Sequence, residues 1–302
     1  MTQAPGVTEW FDTHQGQLRG LAYRMLGSLS DAEDALQDTW LRASAADTKS
    51  IEKPGAWLKT VLARVCLNMV RSRGSHREEP LGTHLPDPIV TAIGTGDPEE
   101  EALLAESVGL ALLVVIQTLS PAERLAFLLH DVFDLTFDEI APIIDRSPAA
   151  ARQLASRARR RVQAAPAVPD ADLVEQRRVV DAFFAAARGG DLETLVAVLD
   201  PDVVLRGDLG PSTASRVVRG LSETLRYARP PSGAVVVVPA VVNGTAGAVI
   251  LRNQRLFSVM AFTVRSGRIV EIDALGDPER LRRLDLGAVL GPSHPELEFE
   301  DG

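Results

Sequence analysis

Cysteine is almost missing from this chain of 302 residues: Cys66 is the only one. An internal disulfide framework is therefore excluded, and a reducing compartment is expected. Cys66 stands among apolar residues, so it reads as a buried structural thiol. No N-terminal segment joins basic residues to an apolar core, so no signal peptide is expected. The longest apolar stretches, such as Val235–Val242, fall far short of the roughly 20 residues a membrane-spanning helix needs. The expectation is a cytoplasmic protein with no membrane association. There is no internal repeat, no metal-ligand spacing and no phosphate-cradling glycine loop, so neither metal nor cofactor is expected.

What is present is ordinary in amount and unusual in arrangement. The chain is 45% hydrophobic and 24% charged, with a net charge of −9, a balance suited to globular domains. The charge is segregated. Arg146–Gln163 holds six arginines and no acid; Lys59–Arg77 holds one lysine, four arginines and no acid; Asp31–Asp38 holds four acids and no base. Local clusters of this kind decide phosphate contacts more than the net charge does.

Three helical patterns open the chain: Leu18, Leu21, Ala22, Met25 and Leu26; then Ala32, Ala35, Leu36, Thr39, Trp40 and Ala43; then Leu58, Leu62, Val65 and Met69. Each places one apolar face on a helix. A helical domain is expected over 1–77 and an aperiodic linker over 78–99. A second helical domain follows over 100–163, and a shorter linker over 164–171. From 172 to 290 an amphipathic helix at Val179–Ala187 precedes β-rich runs at Val203–Arg206, Ala234–Val242, Gly247–Leu251, Phe257–Val264 and Ile269–Ala274. Ser266–Gly267 is a hairpin-turn signal. The tail, 291–302, is acidic and expected to be disordered.

The sharpest local signal is a helix-turn-helix. Thr136 and Glu139 form a capping box, Asp145–Arg146 make the turn, and Ser147 with Pro148 opens a second helix. Ala151, Leu154, Ala155, Ala158 and Val162 give that helix a packed face. Ala149, Ala150, Arg152, Gln153, Ser156, Arg157 and Arg160 lie opposite, the composition of a helix that reads base edges and holds phosphates. Pro142 sits within the first helix and should kink or end it. On the N-terminal domain's third helix, Arg64, Asn68 and Arg71 fall away from the apolar stripe, and Arg73 and Arg77 extend the basic run. The acidic cluster on the second helix would repel DNA and suits a basic protein surface.

The segments YRMLGSLSDAEDALQDTWLRA (Tyr23–Ala43) and PGAWLKTVLARVCLNMVRSR (Pro54–Arg73) resemble region two of the extracytoplasmic-function sigma factors. Leu119–Val162 resembles their region four. The resemblance implies RNA polymerase core and promoter DNA as partners. Asp31, Asp34, Gln37 and Asp38 would dock on the β′ clamp helices, and region four would meet the β flap. Arg64, Asn68, Arg71, Arg73 and Arg77 would melt and read the minus-ten element, with Asp47–Gly55 as its specificity loop. Ala149, Ala150, Arg152, Gln153, Ser156, Arg157 and Arg160 would read the minus-thirty-five element. Residues 172–290, through AFFAAARGGDLETLVAVLDPDVVLRGD (Ala182–Asp208), are similar to SnoaL-like domains. The fold class is thus multidomain: two all-α helical domains, the second with the helix-turn-helix, then an α+β NTF2-like cone.

The cone is expected to act in cis on the first two regions through HLPDP (His84–Pro88) and GDPERL (Gly276–Leu281), without a separate anti-sigma factor. Leu85, Pro86, Asp87, Pro88, Asp208, Asp277, Pro278 and Arg280 are the candidate regulatory contacts. Two other functions stay open: a ligand-responsive helix-turn-helix regulator independent of polymerase, and a bifunctional protein with isomerase or cyclase chemistry in the cone. For the latter Asp208 and Asp273 are the nearest candidates for a general base. The preferred reading is that the chain is not an enzyme.

Overall fold

A computed structural model describes residues 6–48, 51–74, 84–94, 109–164, 169–170, 172–210, 215–228 and 233–291. The chain divides into two units, 1–79 with 115–164, and 80–114 with 165–302. None of the described helices is long and apolar enough to cross a membrane.

The first unit is helical. Helices α1 (Val7–Leu26), α2 (Leu29–Ser44) and α3 (Pro54–Gly74) bury the expected stripes. Leu18, Leu21, Met25, Leu58 and Leu62 are all fully buried. Ser28 caps α2, and Gly27 takes the left-handed conformation that ends α1 (φ 74°). Trp40 departs from its expected place. It is 40% exposed, while Thr39 packs inward as expected, its hydroxyl returned to the Ala35 carbonyl at 2.7 Å. Met69 is only half-buried. Cys66 is wholly buried, and burial pushes its thiol up to about 12.

Helices α4 (Leu110–Thr118), which spans the division between the units, and α5 (Pro121–Phe127) lead into a single π turn at Leu128–Val132. Then come α6 (Phe137–Ile144) and α7 (Pro148–Ala164). The capping box of α6 forms in full, Thr136 and Glu139 each bonding the other's backbone N–H. Glu139 is held below its ordinary range by those Thr136 bonds. Pro142 does not end α6, which continues for two residues beyond it. Arg124 ties the unit together from its interior. It donates to the carbonyls of Met25, Gln117 and Leu119 and to Gln117 Oε1. Among the described residues no carboxylate pairs with it, and its burial lowers the guanidinium to about 10.

The second unit is α+β. A seven-stranded sheet runs in the order β1-β4-β5-β6-β7-β2-β3. Its strands are β1 (Val90–Thr91), β2 (Leu199–Asp208), β3 (Arg216–Arg219), β4 (Val235–Val242), β5 (Thr245–Arg252), β6 (Arg255–Arg265) and β7 (Arg268–Leu275). All pairings are antiparallel except β2 with β7. Ser266 and Gly267 both take positive φ, the hairpin turn their types favour. Helices α8 (Leu173–Gly189) and α9 (Leu192–Val198) lie on the sheet, where Phe262 meets Phe183 in a tilted pair at 5.5 Å and Phe184 edge-on at 5.4 Å. Shorter helices α10 (Leu221–Tyr227), α11 (Pro278–Leu281) and α12 (Gly287–Leu290) complete the unit. The acidic tail, 292–302, lies outside the described residues.

The segment read as a plain linker is more than that. Its residues Val90–Thr91 form β1 against Val241–Val242, and Ile89 and Asn243 exchange bonds at 2.8 and 3.0 Å. The pattern is too short to register as a strand in the sequence: two residues have no periodicity. The second linker is anchored as well. The Asp170 carboxylate accepts from the Ser266 and Gly267 N–H groups at the hairpin tip.

Candidate nucleic-acid interface and linker clamp

Helix α7 starts where its sequence says it should. Asp145 turns the chain in the left-handed region (φ 57°), and Ser147 Oγ accepts the Ala150 N–H at 3.2 Å. Ala151, Ala155 and Ala158 are buried, while Leu154 and Val162 are half-buried. Ala149, Arg152, Gln153, Arg157 and Arg160 are exposed together on the opposite face; Ala150 and Ser156 sit half-buried at its edge. Arg152 lies over the Phe137 ring at 5.2 Å, which orients it without neutralising it. The six arginines are not equivalent. Arg159 pairs with Asp131 at 2.5 Å and Arg161 with Glu123 at 3.4 Å, so two of them face acids from elsewhere in the fold. The acid-free run in the sequence hides this, because the acids sit 28 and 38 residues away.

On α3, Arg64, Asn68 and Arg71 are all exposed on one face. Arg73 lies on the same helix with its side chain outside the described residues, and Arg77 is outside them altogether. Residues 49 and 50 of the expected specificity loop also fall outside. On α2, Asp34 and Gln37 are exposed, and Asp31 and Asp38 half-buried. Asp38 accepts both ends of the Arg42 guanidinium at 2.9–3.0 Å, and Glu33 pairs with Arg19 at 2.7 Å. Part of the acidic face is therefore internally neutralised.

The candidate regulatory residues come together within the second unit. Leu85, Pro86 and Pro88 are buried. The Arg280 guanidinium donates to Asp208 Oδ2 (2.7 Å), to Asp87 Oδ1 (2.8 and 2.5 Å) and to the Leu85 carbonyl (2.6 Å). The Leu85 N–H donates to Asp208 Oδ2 at 2.9 Å, and His84 Nδ1 stands 3.2 Å from the same oxygen. Gly210 N–H and Ser215 Oγ donate to Asp208 Oδ1. Burial alone would raise the Asp208 carboxyl, but the His84, Leu85 and Arg280 contacts outweigh it and hold it at about 2. Asp277 takes a different role. Its carboxylate caps α11 by accepting the Glu279 and Arg280 N–H groups, with Pro278 at the first helical position. The cap places Arg280 rather than touching the linker.

Asp208 and Asp273, the candidates for a general base, do not lie in the apolar cavity of the second unit. The unit has such a cavity, of about 650 Å³, and neither aspartate lines it. Strand alternation explains this. Leu205 of β2 and Ile272 and Ala274 of β7 face the cavity, so Arg206, Asp208 and Asp273 face the other way. Asp273 is instead bound to Arg206 at 2.9 Å, with Glu271 at 3.0 Å from the same guanidinium. Burial pushes Asp273 up to about 6, Glu271 adds to the rise, and Arg206 opposes it. Burial would lower Arg206, but the two carboxylates keep it above its ordinary value. Sequence reasoning missed this triad, along with Arg124 and the roles of His84 and Ser215. Alternating charge on a strand flags no partner until the register of β2 with β7 is known.

Among the described residues no cluster of His, Cys, Asp or Glu could hold a metal ion. Residues 10–76 match the model for Sigma-70 region 2, and residues 109–162 that for Sigma-70, region 4. The chain is 38% identical over 288 residues to the ECF RNA polymerase sigma factor SigJ of Mycobacterium tuberculosis, covering 89% of this chain and 91% of that protein. It is 33% identical over 295 residues to the probable ECF RNA polymerase sigma factor SigI of the same species, covering 95% and 99%. The crystal structure of M. tuberculosis SigJ aligns with a TM-score of 0.71 at 34% identity, over 90% of this chain and 96% of that one.

Proposed function

Because the chain belongs to the extracytoplasmic-function sigma factors of the sigma-70 family, acting in transcription initiation, we infer that its C-terminal α+β domain modulates that activity in cis by holding the segment between its two promoter-reading modules. The observation that carries this reading is the linker clamp. Leu85, Pro86 and Pro88 are buried, Asp208 accepts the Leu85 N–H, and Arg280 binds the Leu85 carbonyl and Asp87. A tether of fixed length keeps such a contact at high effective concentration. No separate anti-sigma protein is then needed to restrain the factor.

The roles of the two helical faces follow from their chemistry. Arg64, Asn68 and Arg71, with Arg73 and Arg77 beyond them, suit a single strand opened at the minus-ten element, where amide and guanidinium groups meet backbone and bases. The face of α7 suits the major groove at minus thirty-five. Ala149 and Ala150 allow close approach, Arg152, Gln153 and Arg157 reach base edges, and Ser156 and Arg160 meet phosphates. Asp31, Asp34, Gln37 and Asp38 suit the β′ clamp helices, and the region-four module the β flap. These placements support a protein that works in the cytoplasm, on RNA polymerase core and promoter DNA, and that is not an enzyme.

Transcription from a genomic promoter pool tests the reading, with core polymerase and either the wild-type chain or Arg280→Ala. Promoter-specific transcripts should require the chain, and their yield should change when the clamp is opened. Equal yields from both forms would remove the regulatory role of the clamp. Tight duplex binding without core, and no transcripts, would favour a ligand-responsive regulator that acts alone.

A further inference from the structure

The cavity of about 650 Å³ in the second unit is walled by residues of five strands, β2, β4, β5, β6 and β7, and of helices α8, α10 and α11. Leu205, Val237, Ile250 and Ile272 give it an apolar floor. Phe183 and Phe184 close one side. Protein interiors pack close to crystal density, so an apolar space of this size is not a packing accident. It lies within the range of sites that enclose a small organic molecule, roughly 300–1,000 Å³.

Thr224 of α10 supplies a second, independent observation. It is fully buried, it lines the cavity, and its hydroxyl has no hydrogen-bond partner. A threonine in a helix normally returns its hydroxyl to a carbonyl one turn back. Thr13, Thr39 and Thr60 of this same chain do so, at 2.7, 2.7 and 3.0 Å. Thr224 does not, although its own N–H is bonded to Gly220. A buried hydroxyl without a partner is costly and rare, and this one opens onto a space that can supply the partner.

The charge of the lining narrows the occupant. Among the described residues no aspartate or glutamate lines the cavity; the charged ones that do are Arg188, which is exposed, and Arg252, which is half-buried and lies over the Phe257 ring at 4.4 Å. A cationic head would meet two arginines and no acid among the described lining residues. An anionic head would be attracted, and its apolar body would fill the rest.

We propose that this cavity is a binding site for a lipophilic carboxylate that carries one further oxygen, a hydroxyl or carbonyl, hydrogen-bonded by Thr224. None of its lining residues belongs to the DNA-reading faces, and its occupancy is measurable without polymerase or promoter. It therefore stands or falls apart from the regulatory reading of the linker clamp.

Calorimetry on the full-length chain tests it with three probes of equal length: dodecanoic acid, ω-hydroxydodecanoic acid and dodecylamine. The two acids should bind with one-to-one stoichiometry, the hydroxy acid more tightly, and the amine at least tenfold more weakly than either. Thr224→Val should reduce affinity for the hydroxy acid about tenfold, the worth of one hydrogen bond, and leave the plain acid unchanged. Met260→Trp should fill the cavity and abolish binding of both acids. Circular dichroism and binding to core polymerase identify a variant that has failed to fold. For such a variant Ile250→Phe replaces Met260→Trp, and Thr224→Ala, which also removes the hydroxyl, replaces Thr224→Val; Thr224→Ser, which keeps it, should keep the affinity. The proposal is overturned if none of the probes binds, if the amine binds as well as the acids, or if filling the cavity leaves binding intact. It is also overturned if Thr224→Val leaves the hydroxy acid's advantage unchanged.

Discussion

Arg280→Ala should release the linker from the second unit, and the size of the effect can be worked from its contacts. The guanidinium is 12% exposed, and it stands between the Asp208 carboxylate, 4% exposed, and that of Asp87, 17% exposed. Removing it leaves two carboxylates close together and withdraws the donor from the Leu85 carbonyl. Breaking a fully buried ion pair costs about 3–5 kcal/mol. Here His84 still faces Asp208, and solvent reaches the rim, so the cost falls to about 2–3 kcal/mol. That loss comes from the docking of the linker rather than from the whole fold. Opening of the segment should then rise roughly 30- to 150-fold. Hydrogen exchange reads it directly at the Leu85 amide, which donates to Asp208 Oδ2 at 2.9 Å. Exchange there should accelerate by that factor, while amides in α1 and α5 keep their wild-type rates. Unchanged Leu85 exchange in a folded Arg280→Ala chain would refute the clamp as the element that holds the linker.

Asp208 is depressed to about 2 against about 3.9 when unfolded. Its stabilisation is therefore present above about pH 4 and lost as pH falls towards 2; after discounting for solvent it amounts to about 1–2 kcal/mol. Urea unfolding of wild type and Asp208→Asn should differ at neutral pH and converge in acid. Asp273 is raised to about 6, so its contribution runs the other way, present below about pH 4 and lost as pH rises through 6. Asp273→Asn should flatten that part of the stability curve in the same assay. Gln153→Ala or Arg157→Ala should cost about 1–3 kcal/mol at one promoter position, while Arg160→Ala should weaken all sequences alike and reduce the salt slope by about 1. Titrations of the polymerase holoenzyme against promoter variants separate the two outcomes. Arg124→Ala leaves the Met25, Gln117 and Leu119 carbonyls without their donor and should destabilise the helical unit by about 2–4 kcal/mol in thermal unfolding.

The helical unit was largely legible because its information is local. Capping boxes, the Ser147–Pro148 start and the stripes of α1 and α3 each act within a few residues, so the sequence displays them directly. Trp40 escaped because a tryptophan at the edge of a stripe reads as core, while the neighbouring Thr39 satisfies its own hydroxyl and packs inward. The site in the second unit was legible in part. The motifs around Leu85, Asp208 and Arg280 point to one another, yet the bonds joining them span 72 to 195 residues. The cap at Asp277 was local and readable, since Asp before Pro278 is the same kind of helix start as Ser147–Pro148, but the expectation for this motif was a linker contact instead. Thr224 was invisible: a threonine on a short helix carries no signal until its hydroxyl is seen to lack a partner.

The short strand β1 has a consequence for solubility. It pairs with the end of β4, whose sequence VVVVPAVV is a run of strand-forming residues without charge. Such a run at a sheet edge is a template for pairing with another chain. Pro239 interrupts the run, and Val90 and Thr91 cover its last two residues, Val241 and Val242. Every excursion that lifts the linker away exposes more of this edge. A form locked open should therefore self-associate through β-strands as its concentration rises, and a factor that opens safely must do so where another surface takes the place of β1.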